Sequence, residues 1–202
     1  MLAGTTTRCH AVTEERNGGL CVCVAGMLVL IFAVSAYGTP LDDYVTAADA
    51  SYTWGITATD TTTAPGCTLY TVQMTSQTWR DSSEVDHNAW QHYMRICVPN
   101  TVTSDKVLLT IGGRDHGFIP TVDTTGTPYY GAVDPNLALA TGSVVAAIAT
   151  VPNQPLQFAG EGFQRYEDAI IAKTGRLFMD GRGGGDPEND YWLALMPMVK
   201  SA

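Results

Sequence analysis

The densest group of chemistry-bearing residues is Gly112-Gly113-Arg114-Asp115-His116, which follows the short apolar run VLLTI at 107–111. Paired glycines at a strand end let backbone N–H groups approach a developing negative charge. Gly112 and Gly113 are therefore able to present their N–H groups to an anion. A tight turn that needs glycine at positive φ accounts for them equally well. Arg114, Asp115 and His116 share that loop and would face any cleft beside it. The other candidates weaken on spacing. His87 and His92 are five apart with Asp86 adjacent, His10 and His116 lie far from them in sequence, and no Cys-x-x-Cys or His-Glu-x-x-His occurs. Those spacings give no metal site. The triple glycine at 183–185 lacks the Lys-Ser/Thr of a phosphate loop, so neither a nucleotide nor any other cofactor is expected. Arg165, Glu167 and Asp168 suit a solvated helix start better than a clamp for a charged substrate. No Gly-x-Ser-x-Gly occurs, and Gly142-Ser143 opens a strand rather than a strand-to-helix elbow. Ser143 is rejected as a nucleophile.

The elements that must position these residues alternate between strand and helix patterns. Thr57 to Pro65 (TATDTTTAP) reads as a polar turn. Cys67 to Met74 reads as a short strand. Trp90 to Val98 alternates, with Trp90, His92, Met94, Ile96 and Val98 on one face, and pairs with it as a half-exposed strand. Asp81-Ser82-Ser83-Glu84 resembles a helix-start box, for a short helix at most. Val107 to Ile111 and Ser143 to Val151 are apolar, buried-type strands. Between them Asp134 serves as N-cap and Pro135 as first position of a helix ending near Gly142. Strand, helix and strand in that order signal a parallel pair. Arg165 to Met179 carries a helical face, and a final helix starts from Tyr191. Trp54, Trp79, Trp90 and Trp192 are expected as core anchors.

The chain of 202 residues has 11 Lys plus Arg against 20 Asp plus Glu, a net charge of −9. Phosphate neutralisation supplies most nucleic-acid affinity, so nucleic acid is excluded as a partner. The 20 glycines and 10 prolines argue against a helical bundle. Leu20 to Ala36 is uncharged, preceded by Arg8 and Arg16, with Val34 and Ala36 placed for cleavage after Ala36. Residues 1–36 read as a secretory signal peptide, with an uncleaved signal anchor as the alternative and the membrane reached only that way. Cys9, Cys21 and Cys23 fall in that leader. Cys67 and Cys97 remain, either as one disulfide or as two packed thiols.

The blocks LDDYV at 41–45, SYTW at 51–54, TSQTWR at 75–80, LLTIGG at 108–113, LATGSVVAAIATVPNQPLQF at 139–158 and RYEDAIIA at 165–172 resemble the PhoPQ-activated pathogenicity-related proteins. The resemblance covers nearly all of 41–202. It implies an α/β fold: the N-terminal half of an α/β-hydrolase-like sheet, an antiparallel hairpin followed by parallel strands with flanking helices. With that fold it implies one backbone donor of an oxyanion hole at Gly112-Gly113, after the third strand. In that family the nucleophilic serine follows the point matching Ala202. Residues 37–202 are thus expected to be an incomplete domain, inactive as an enzyme by themselves. The family implies a secreted protein that either meets an unidentified receptor as an autocrine repressor of proliferation or contributes to hydrolysis of a small ester or peptide. An unpaired strand at 107–111 would favour self-association.

Overall fold

A computed structural model describes residues 39–123, 132–182 and 192–202. The chain divides between Thr39 and Pro40; the leader read at 1–36 lies outside the described residues. From Pro40 the elements are α1 (Pro40–Thr46), β1 (Thr53–Asp60), β2 (Cys67–Thr78), β3 (Ala89–Pro99) and β4 (Val107–Ile111). There follow β5 (Thr121–Val122), β6 (Ala132–Val133), α2 (Pro135–Thr141), β7 (Val144–Ile148), α3 (Glu167–Leu177) and α4 (Leu195–Ser201).

Five strands form one mixed sheet in the order β1-β2-β3-β7-β4. The expected hairpin is present: β2 and β3 pair antiparallel from Cys67 opposite Pro99 to Thr78 opposite Ala89. β7 lies antiparallel to β3, and β4 runs parallel to β7 from Val107 opposite Val144 to Ile111 opposite Ile148. A parallel pair needs a crossover, and α2 lies on it. Asp134 caps this helix as its sequence predicts, accepting from the N–H groups of Asn136 (2.8 Å) and Leu137 (3.3 Å). Gly142 ends it at φ 62°, the left-handed conformation that glycine adopts without strain.

Apolar residues gather on both faces of the sheet. On one face Cys67, Leu69, Cys97, Val145 and Ala147 pack with Val133 and Ala138. On the other, Trp79, Trp90, Leu156, Phe158, Ile170 and Trp192 form a second cluster with Val85 and Ala194. Trp79 is its hub, edge-on to Trp90 at 5.8 Å and to Trp192 at 6.2 Å. β7 is buried on both sides, as its unbroken apolar run requires.

Three expectations need correction. Thr57–Asp60 is not turn but the second half of β1, which pairs with β2 and is exposed along almost its whole length. A strand bathed on both faces has no apolar alternation, and its threonines read as loop. Trp54 is 59% exposed on that strand, unlike the other three tryptophans. At 81–84 no helix forms; Ser83 N–H bonds Asp81 Oδ1 and Glu84 turns back to Arg80, closing a turn instead. Cys67 and Cys97 stand as free, buried thiols. Cys67 is opposite Pro99 and Cys97 opposite Leu69, a diagonal relation. Burial, then the neighbouring Cys67 thiol, pushes Cys97 up to about 12.

β4 is an edge of the sheet as described, with Val107 60%, Leu108 45% and Ile111 47% exposed. Unprotected apolar edges template pairing with other chains. The full chain is expected to self-associate in sedimentation velocity, and Leu108→Lys to shift it toward monomer while changing stability by less than about 0.5 kcal/mol. A wild-type chain that stays monomeric and unfolds sharply and reversibly in calorimetry would contradict this.

Candidate functional site

Because β4 and β7 are parallel, the chain leaves both at the same end, and β3 begins there. In open α/β sheets that carboxyl end is where ligands bind. Here the loop after β4, the loop after β7 and the start of α3 enclose a cleft of about 550 Å³ lined by Ile111, Gly112, Gly113, Arg114, Asp115, Gln154 and Glu167. Four of the five residues singled out from the sequence loop lie on its wall. The two glycines have different roles. Gly112 is buried and extends the ladder: its N–H donates to Ile148 O (3.0 Å) and its carbonyl accepts from Val151 N–H (3.1 Å). Gly113 makes no such bond among the described residues and remains the candidate donor. Its lack of a side chain matters for a packing reason, since a Cβ would meet Glu167 Oε2 at 3.1 Å and Gln154 Nε2 at 3.4 Å.

Backbone strain concentrates around this cleft. Arg114 has φ 148°, Thr150 φ 65° and Glu167 φ 21°. For a β-branched residue such as Thr150 that conformation is a genuine outlier, and each such residue costs on the order of 1–3 kcal/mol that the surrounding packing must offset. Thr150 is held by its hydroxyl, which donates to Asp115 O (3.3 Å). The Arg114 guanidinium lies 5.1 Å from the centre of the Phe118 ring.

Behind the cleft is a pair that spacing did not suggest. His87 and His116, 29 residues apart, stack with ring centres 4.4 Å apart, and Asp86 Oδ2 is 3.1 Å from His87 Nδ1. His116 N–H donates to Gln154 O. Asn153 donates through Nδ2 to His87 O (2.7 Å), tying the loop after β7 to the same place. Burial, with the neighbouring His87, depresses the pKa of His116. Among the described residues no three His, Cys, Asp or Glu side chains gather as metal ligands.

His92 does not join them. It is 1% exposed beneath α4, with Nδ1 3.2 Å from Ala149 O and Nε2 2.9 Å from Ser76 Oγ. A carbonyl accepts only, so the ring proton sits on Nδ1 and the Ser76 hydroxyl donates to Nε2. Ser201 Oγ lies 2.9 Å from Ser76 Oγ, accepts from Gln77 Nε2 (3.2 Å) and donates to Pro197 O (2.8 Å), a carbonyl that Gln77 Nε2 also reaches (2.8 Å). The Tyr44 hydroxyl completes the chain on Gln77 Oε1 (2.6 Å). This serine–histidine contact is sealed from solvent and serves to fasten α1 and α4 to the sheet.

The remaining sequence candidates separate. Ser143 sits at the amino end of β7, opposite the cleft. Arg165 is held bidentate by Glu161 (2.7 and 3.0 Å), with Lys173 on the same carboxylate at 2.9 Å. These cations, Arg165 foremost, hold the Glu161 pKa down to about 2. Asp168 is exposed. Only Glu167 of that group reaches the cleft. Gln154 was missed; its one signal is a polar residue caught between prolines in the otherwise apolar VPNQPL.

Fold and site together describe a mixed α/β protein whose ligand-facing end is the carboxyl end of a parallel strand pair. The family model of the PhoPQ-activated pathogenicity-related protein matches residues 41–202, and the chain belongs to that family. Autocrine proliferation repressor protein A of Dictyostelium discoideum is 34% identical over 180 residues, which cover 87% of this chain and 33% of that protein. The chain therefore spans about a third of the length of that relative. A glucuronoyl esterase from Solibacter usitatus is similar in structure at 13% identity and a TM-score of 0.35, over 74% of this chain and 47% of its own. That likeness is too remote to bear on fold or activity.

Burial lowers His92 from 6.5 to about 4, against the opposing pull of its hydrogen bonds to the backbone. As pH falls from 6.5 toward 4 the unfolded chain takes up a proton that folded His92 refuses, so stability is lost on acidification and is fully present above pH 6.5. The effect amounts to about 3 kcal/mol. His116 acts in the same direction. Carboxylates held low, such as Glu84, act only below about pH 4.5. Urea unfolding across pH 4.5–6.5 is expected to show this slope, and His92→Gln to flatten it by up to one proton.

Proposed function

We propose that the chain forms the sheet-bearing part of an extracellular PhoPQ-related protein that restrains proliferation by binding rather than by catalysis within these residues. The observation that carries this reading is the cleft itself. It offers a backbone donor at Gly113 and a carboxylate at Glu167, and among the described residues no serine, cysteine or histidine nucleophile lines it. The relationship to a protein named for autocrine repression of proliferation supports the role, and the apolar segment at 20–36 supports export, by a cleaved signal or as an anchor. Among the described residues no helix is long and apolar enough to cross a membrane. The receptor would be met outside the cell.

One observation favours a second reading. The free Gly113 N–H stands at the end of β4, where an α/β-hydrolase places one oxyanion donor. In that reading the chain is the N-terminal part of a secreted serine hydrolase acting on esters or peptides, and its serine lies outside the cleft described here.

Conditioned medium from cells expressing the full chain separates the two. Under the first reading the chain is recovered from the medium, slows the growth of cells of its own source, and leaves p-nitrophenyl acetate hydrolysis at the buffer rate. Hydrolysis that a serine-directed phosphonate blocks, with growth unaffected, would replace it with the second. A chain retained inside the cell would contradict both.

A further inference from the structure

Gln154 is 6% exposed, yet only half of its carboxamide is engaged. Its Oε1 accepts the Glu167 N–H at 2.7 Å. That bond substitutes for a helix cap: Tyr166, at the N-cap of α3, supplies no side-chain acceptor, and first-turn N–H groups have no partner within a helix. A backbone N–H requires an acceptor, so the bond also decides which end of the amide is oxygen. Nε2 therefore points the other way, into the cleft, and donates to no described residue. A buried side chain with an unmatched donor facing a cavity is a place where a ligand acceptor fits.

The neighbour of that donor narrows the chemistry. Gln154 Nε2 and Glu167 Oε2 both crowd against Gly113, within 3.4 Å and 3.1 Å of the point a Cβ would occupy. The Glu167 carboxylate is exposed and takes part in no described ion pair or side-chain hydrogen bond. The cleft thus presents an N–H donor and a carboxylate acceptor side by side. One residue of an extended peptide offers the complement, its C=O for Gln154 and its N–H for Glu167; the two point to the same side, whereas the C=O and N–H of a single trans amide point opposite ways. An ester has the carbonyl but no N–H. A carboxylate would meet Glu167 as a like charge.

We infer that this cleft binds one residue of an extended peptide, its C=O on Gln154 Nε2 and its own N–H on the Glu167 carboxylate, so that the natural ligand is a peptide and not a simple ester. The inference rests on the cleft as the functional site, as the reading above does, but not on whether the chain restrains growth or takes part in hydrolysis.

The test is a titration of the ¹⁵N-labelled full chain with the blocked residue amide N-acetylalanine N-methylamide, and separately with its ester isostere O-acetyl-lactic acid N-methylamide, which lacks only the N–H meant for Glu167, followed by NMR. The side-chain NH₂ of Gln154 and the backbone amides of Gly113 and Glu167 are expected to shift saturably with the amide, and the ester to bind about tenfold more weakly, as loss of one charge-assisted hydrogen bond implies. Gln154→Glu keeps the acceptor for the Glu167 N–H and removes the donor, while setting a second carboxylate beside Glu167; the thermal midpoint is expected to fall, the dispersed amide spectrum to show that the variant is folded, and amide binding to be lost. Glu167→Ala, at an exposed position, should bring amide affinity down to that of the ester and leave ester affinity unchanged. Equal affinity of the two probes, saturable shifts that avoid Gln154, or no saturable shift with either would overturn the inference. None of these outcomes depends on the growth assay. Binding that fails while growth is still slowed removes the amide site and leaves the repressor reading standing.

Discussion

Parallel strands cannot be joined by a tight turn, so the ladder between Val107–Ile111 and Val144–Ile148 obliges the chain to cross over between them and to depart from both at one end. Most features of the cleft depend on that obligation. The departing backbone still has hydrogen bonds to satisfy, and Gly112 satisfies two of them by reaching back to Ile148 and Val151. With Gly112 committed, Gly113 is the first residue released from the sheet. The loop after β7 must pass beside it, which brings Gln154 and, through Gln154, the start of α3 to the same spot. The strain at Arg114, Thr150 and Glu167 surrounds that confluence, where three segments share one small volume.

A second constraint holds the opposite part of the sheet. Burying His92 in neutral form is tolerable because both of its ring nitrogens have partners, Ala149 O on Nδ1 and Ser76 Oγ on Nε2. The contacts run from Tyr44 through Gln77, Ser201 and Ser76 to His92 and Ala149, and two carbonyls that only accept orient them: Ala149 O takes the proton on His92 Nδ1, and Pro197 O takes that of Ser201. Polar specificity of this kind sets which turn of α4 rests on β2, something that apolar packing alone would leave loose. Lys200 adds a tie to α1, donating to the carbonyls of Ala47 (2.6 Å) and Tyr44 (3.2 Å).

Much of the scaffold was legible in the sequence because it obeys local rules. The runs VLLTI and SVVAAIATV both form strands of the parallel pair, and Asp134-Pro135 starts a helix with its own cap. Only SVVAAIATV is buried as its pattern predicts; VLLTI, expected to be buried, stands exposed because it is the edge of the described sheet. β1 escaped because exposure on both faces removes the periodicity by which strands are recognised. The site was legible only in part. Gly113 and its loop announce themselves by composition, whereas the stacked His87 and His116 meet through the fold across 29 residues, and no local pattern encodes that. Gln154 was silent for a different reason. A buried glutamine is explained by its partners, and these are a helix N–H and a cleft that exist only after folding.

The two margins of the sheet are not equivalent. On β1 the pairing slips between Ile56 and Ala58, where Thr57 turns its hydroxyl onto Thr71 O, and such a bulge twists a margin away from further partners. β4 runs in unbroken register against β7 and carries no such guard. Any strand recruited by this sheet therefore joins next to β4. Growth of the sheet is one-sided, and each added strand that runs parallel widens the same end at which Gly113, Gln154 and Glu167 already converge.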